Sequence, residues 1–180
     1  MKKQIIACAV GALILFIWQF LSWGILPVHK AEYGYSANQD QIMAYLSQNL
    51  SESGTYRLPG SPPGTSHDEM EKDMQKNIGK PWAVIHYHSV LDMNMGMNMF
   101  RGIVVDLLAI FLLVWLFGKF ASLTMKDAVS ASVAVGFIAY LIIPYENSIW
   151  FETSSIGYLV DAIVPWAAIG VWLGWYLPKN

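Results

Sequence analysis

Cysteine is nearly absent from this 180-residue chain: Cys8 stands alone, so no internal disulfide can staple it. Charge is sparse as well. Eleven Lys and Arg against 13 Asp and Glu leave a net charge of −2, and no basic cluster marks a nucleic-acid surface. Catalytic signatures are missing too, with no nucleophile elbow, HExxH helix, phosphate-binding loop or dinucleotide fingerprint. Histidine is confined to one polar stretch, where His29, His67, His86 and His88 all lie, so bis-histidine haem ligation inside the apolar runs is disfavoured. These absences point away from an enzyme.

What is abundant is long apolar sequence. A helix needs about 20 mostly apolar residues to cross about 30 Å of hydrocarbon. Residues 5–26 supply that with only Gln19 and Ser22 as interior polar side chains. Residues 103–120 form a second run, interrupted by Asp106 and ending at Lys119 and Phe120, with the lysine stem long enough to carry its ammonium to an interface. A third run, 128–144, is richer in small residues, and Pro144 is expected to end it. The fourth, 156–177, carries Trp166, Trp172, Trp175 and Tyr176 as interfacial anchors and Pro165 as an expected kink. The fold class expected is an all-α bundle of four transmembrane helices, with a small α+β extracytoplasmic domain inserted between helices 1 and 2. The expected organisation is an anchor helix at 1–27, the inserted domain at 28–101 and a three-helix membrane region at 102–180.

The first run follows Lys2 and Lys3 but is too long for a signal peptide core and ends in Trp23, Gly24, Ile25, Leu26 and Pro27, not in a small-x-small cleavage site. A retained signal anchor is expected. With four crossings, Lys2, Lys3, Lys119, Lys126 and Lys179 fall on one side, which the positive-inside rule makes cytoplasmic. Both termini are then cytoplasmic, the inserted domain and the acidic 145–155 loop lie outside, and a bacterial inner membrane is the expected setting.

Within the inserted domain, residues 38–49 place Ile42, Tyr45 and Leu46 at helical spacing, with Ser36 or Asn38 available as a cap. Residues 66–77 open with Ser66 as a cap and with Asp68 and Glu69 in the first turn, where a helix dipole favours acids. The stretches 55–58 and 83–87 are expected to pair as a two-stranded sheet covered by those helices. So small a domain has a meagre core of its own.

Three constellations carry chemistry. On a strand, His86 and His88 share a face and could serve copper or zinc, with Met93, Met95, Met97 and Met99 as soft thioether donors for copper. The competing reading is a packed, methionine-rich turn, with His29 and His67 as ordinary surface or interface histidines. Second, Asp106 and Asp161 are acids within spans, expected about one turn inside their helices, with Arg101 near enough in sequence to pair with Asp106. Third, Ala128, Ser132 and Gly136 recur at four-residue steps, and Gly170 with Gly174 form a GxxxG, so both faces suit close helix contact.

The leading expectation is a non-enzymatic, lipid-embedded accessory or assembly subunit of a larger membrane complex, with a membrane-protein partner or a second copy of itself, no nucleic acid and no cofactor. One alternative is copper or zinc handling through the His86, His88 and methionine cluster. Another is a proton or ion pathway through Asp106 and Asp161.

Overall fold

A computed structural model describes residues 1–177; Lys179 lies outside the described residues. Two compact units emerge: residues 1–34 with 94–180, and residues 35–93.

The first unit contains the four helices long and apolar enough to cross a membrane. Helix α1 spans Lys2–Gly24, and a 3₁₀ turn follows at Pro27–His29. Helix α4, Met95–Phe117, starts eight residues ahead of the apolar run because the Asn94 side chain caps it, accepting from the Met97 amide at 3.0 Å. Helix α5, Met125–Tyr140, begins with a capping box between Thr124 and Asp127. Pro144, expected to stop this helix, sits inside a π turn at Leu141–Tyr145, and the chain continues as α6, Glu146–Phe151. The widened turn gives the pyrrolidine ring room against the preceding carbonyls. The expected acidic loop is thus largely helical, and it ends where Glu152 takes a left-handed φ of 52°. Helix α7, Ile156–Tyr176, runs unbroken through Pro165.

Consecutive spans run antiparallel. Near one end, the Lys3 ammonium donates to the Leu177 carbonyl at 2.9 Å and the Trp172 indole donates to the Ala7 carbonyl at 3.1 Å, joining the start of α1 to the end of α7. Ala7, Ala12 and Leu15 of α1 pack with Ile110, Leu113, Val114 and Phe117 of α4 and with Ile169 and Leu173 of α7. The opposite faces of these helices are equally apolar, with Leu13, Ile17, Leu108, Phe111 and Leu112 about half exposed or more. Helices apolar all round suit a lipid surround.

Glycine sets the α5–α7 spacing. A methyl group added at Gly170 would lie 2.6 Å from the Val129 Cα, and one at Gly174 would lie 2.9 Å from the Ala128 Cβ. Ser132 is fully buried on the same face, its Cβ 3.2 Å from the added methyl at Gly170, while a methyl at Gly136 would strike the Ala162 carbonyl. Backbones come this close only where side chains are small.

The second unit, inserted between α1 and α4 in the chain, holds α2 (Gln39–Asn49), β1 (Gly54–Leu58), α3 (His67–Asn77) and β2 (Ala83–Tyr87). β1 and β2 pair antiparallel, with Tyr56 opposite Ile85. Ser66 caps α3 in a reciprocal box with Glu69. Those hydrogen bonds from Ser66 hold the Glu69 carboxyl below its ordinary value. Neither α2 nor α3 buries a residue, and Tyr87 alone among residues 35–93 is buried.

Candidate functional site

The site grows from a stripe on α1. Trp18, Gln19, Ser22 and Trp23 follow one another at one- and three-residue steps, which places them on one side of the helix. Beyond α1, Pro27 opens the 3₁₀ turn with its missing amide where no partner is needed, and the Glu32 amide donates to the His29 carbonyl at 3.0 Å. In such tight turns side chains three apart eclipse. His29 and Glu32 therefore fold back together.

Asp161, the sixth residue of α7, receives this group. Its Oδ1 accepts from the Ser22 hydroxyl at 2.6 Å and from the Trp18 indole at 2.8 Å. Its Oδ2 lies 2.9 Å from His29 Nε2, and on the far side of the ring Nδ1 lies 2.6 Å from Glu32 Oε1. The His29 and Glu32 side chains are 5% and 7% exposed, so water does not mediate these contacts. Trp23 stacks on the imidazole with centroids 3.7 Å apart and planes 10° apart, and Tyr158 meets it edge-on at 5.2 Å. Gly157 completes the seat: a methyl there would lie 2.5 Å from Glu32 Oε1 and 2.7 Å from His29 Nδ1.

Each ring nitrogen of His29 therefore faces a carboxylate oxygen, and which nitrogen carries the hydrogen depends on the tautomer.

Asp106 lies apart from the trio, on α4. It is the twelfth of 23 residues, about three turns inside the helix and not one, because α4 starts at Met95. Gln19 donates to its Oδ1 at 3.0 Å. Arg101 does not meet it, since five helical positions turn the two side chains about 140° apart. The second oxygen of Asp106 is buried without a hydrogen-bond partner among the described residues. Asp106 and Asp161 both line one cavity of about 430 Å³, with Trp18, Gln19, Trp23 and Trp166.

The remaining sequence candidates are dispersed. His86 sits on β2, its Nδ1 2.9 Å from the Thr55 hydroxyl, and His88 follows the end of that strand. Met93 closes the second unit. Met95, Met97 and Met99 lie on α4 rather than on an alternating strand, so Met97 points away from the other two. Among the described residues, no group of three or more His, Cys, Asp or Glu side chains is arranged to hold a metal ion. His67 opens α3 as an exposed residue.

Sequence reasoning placed His29 as an ordinary histidine and passed over Glu32, Trp18 and Tyr158. One signal was available: Gln19 and Ser22, the interior polar residues of α1, share the face that meets both aspartates. Compared with protein-family models, curated proteins and solved structures, the chain matches none.

Proposed function

We propose that this chain is a multi-pass membrane protein that holds and passes a proton, with Asp161, His29 and Glu32 as the relay. The observation that carries the reading is a single buried imidazole with a carboxylate on each nitrogen. Such a ring accepts a proton on one nitrogen as it releases one from the other. A proton reaching Asp161 moves onto Nε2, and the Nδ1 proton passes to Glu32. The ring is left as the other tautomer and must reset before the next transfer. Asp161 is the member of the trio that lies within a candidate span, where an ionisable residue is costly and marks a functional-site hypothesis.

On this reading the inserted unit is extracytoplasmic, both termini are cytoplasmic and the setting is a bacterial inner membrane. Lys2, Lys3, Lys119 and Lys126 in the short segments support that orientation, as does the even number of candidate spans. The test is proton flux in liposomes carrying a trapped pH dye and an imposed gradient. Wild-type protein is expected to collapse the gradient several-fold faster than empty vesicles, with His29→Gln and Asp161→Asn each returning the rate to baseline. Equal rates for wild type and both variants would refute the relay.

A second reading, an accessory or assembly subunit of a larger membrane complex, is supported by the inserted unit. α2 leaves Ile42, Met43 and Tyr45 48–67% exposed in a unit with almost no core of its own. Native mass spectrometry after gentle extraction tests it and reads copper or zinc in the same spectrum. A reproducible second polypeptide is expected, and a stable lone chain under every mild condition would end the idea.

A further inference from the structure

We propose that the cleft between α1, α4 and α7 binds an amphipathic ammonium: a protonated aliphatic amine carried on an apolar or aromatic body. The inference goes beyond the relay, because its anchor is Asp106, which takes no part in the proton trio.

The cleft's volume of about 430 Å³ falls within the range of small-molecule sites. Its aromatic wall is Trp18, Trp23 and Trp166, and indole faces attract cations. No Lys or Arg lines it, whereas two acids do. The two acids differ in what they still need. Asp161 has a partner on each oxygen, with Trp18 and Ser22 on one and His29 on the other. Asp106 is half-satisfied: Gln19 serves Oδ1, while Oδ2 is buried without a partner although the residue is only 3% exposed. A buried acceptor in that state calls for a donor. Asp106 lines the cleft, so a guest that brings N–H groups and positive charge would lie beside its carboxyl group and among the indoles. Because Asp106 is the middle residue of α4, the guest must carry its charge deep into a span on a lipid-soluble body.

The chemistry is shared by free lipophilic amines and by the primary ammonium of phosphatidylethanolamine. The experiment separates them. The full chain is reconstituted in nanodiscs of phosphatidylcholine and phosphatidylglycerol, with empty discs as the partition control, and titrated with 4-fluorophenethylamine followed by ¹⁹F NMR. Saturable binding is expected, weakened at least tenfold by Asp106→Asn and at least tenfold for the N,N,N-trimethyl analogue, which keeps the charge but has no N–H. Ala109→Phe, which narrows the cleft while keeping the carboxylate, is expected to abolish binding and serves if the asparagine variant does not fold. Discs containing phosphatidylethanolamine assign the occupant: competition identifies the lipid headgroup, and its absence identifies a free amine. Unchanged affinity in Asp106→Asn, or equal affinity for the trimethyl analogue, would overturn the proposal.

Discussion

Gly157→Ala isolates the contact on which the relay depends. The added methyl would sit 2.5 Å from Glu32 Oε1 and 2.7 Å from His29 Nδ1, where ordinary contact begins at 3.4 Å. Glu32 must retreat by about 0.9 Å to reach that contact. By the same measure the His29 ring must yield by about 0.7 Å, and Trp23, stacked on it at 3.7 Å, holds it back. The unequal shifts weaken the 2.6 Å contact between them. Losing a bond between charged groups costs about 1.5–3 kcal/mol, and replacing a helical glycine returns at most about 1 kcal/mol. The net loss is about 1–2 kcal/mol, a five- to thirtyfold change in the folding equilibrium. Gly102→Ala is the control, since its methyl would have Phe16 as nearest neighbour at 3.9 Å. Equilibrium unfolding in mixed micelles of rising dodecyl sulfate content, followed by circular dichroism, reads both variants. If Gly157→Ala proved as stable as Gly102→Ala, the seat described for Glu32 and His29 would be wrong.

Two further predictions follow the same logic. Gly170→Val drives a branched side chain onto the α5 backbone, where even a methyl would lie 2.6 Å from the Val129 Cα; the expected cost is about 1–3 kcal/mol, read by the same unfolding assay, and a neutral effect would contradict the close α5–α7 approach. At Glu69 the folded carboxyl is held low by Ser66, so its contribution to α3 is complete above the ordinary carboxylate value and is lost as pH falls through the lowered one. Amide protection across His67–Asn77 is expected to fall over that acid range in the wild type and to show no such step in Ser66→Ala; identical profiles would count against the capping box.

The local elements were legible because their signals are local. Ser66 with Glu69 three residues later announces a capped helix, and the strand pairing follows from two short β-prone stretches between turns. The errors arose where a neighbour supplied what the residue itself did not reveal. Pro144 was read as a stop because its missing amide breaks an ordinary turn, but a π turn accommodates it and α6 follows. Asp106 was placed one turn into its helix because hydropathy begins at Ile103, whereas the start of α4 is decided by the Asn94 cap. His29 looked unremarkable, since no pattern in its neighbourhood announces that Asp161, 132 positions away, will face it.

By itself the sequence marked four apolar runs as spans, because backbone groups in lipid must be satisfied within a helix. The runs at 103–120 and 128–144 fall short of the hydrocarbon thickness, and the structure extends them to Met95–Phe117 and Met125–Phe151. The sequence also determined where glycine and alanine permit helices to meet, because only small side chains let backbones approach. Tertiary structure alone decided which polar groups share a site. Trp18 and Ser22 on α1, His29 and Glu32 after it and Asp161 on α7 converge because α1 and α7 run antiparallel and the 3₁₀ turn folds back over Gly157. Hydrogen bonds act over about 3 Å, whatever the separation along the chain. The two carboxylates that face the His29 ring are a property of that convergence.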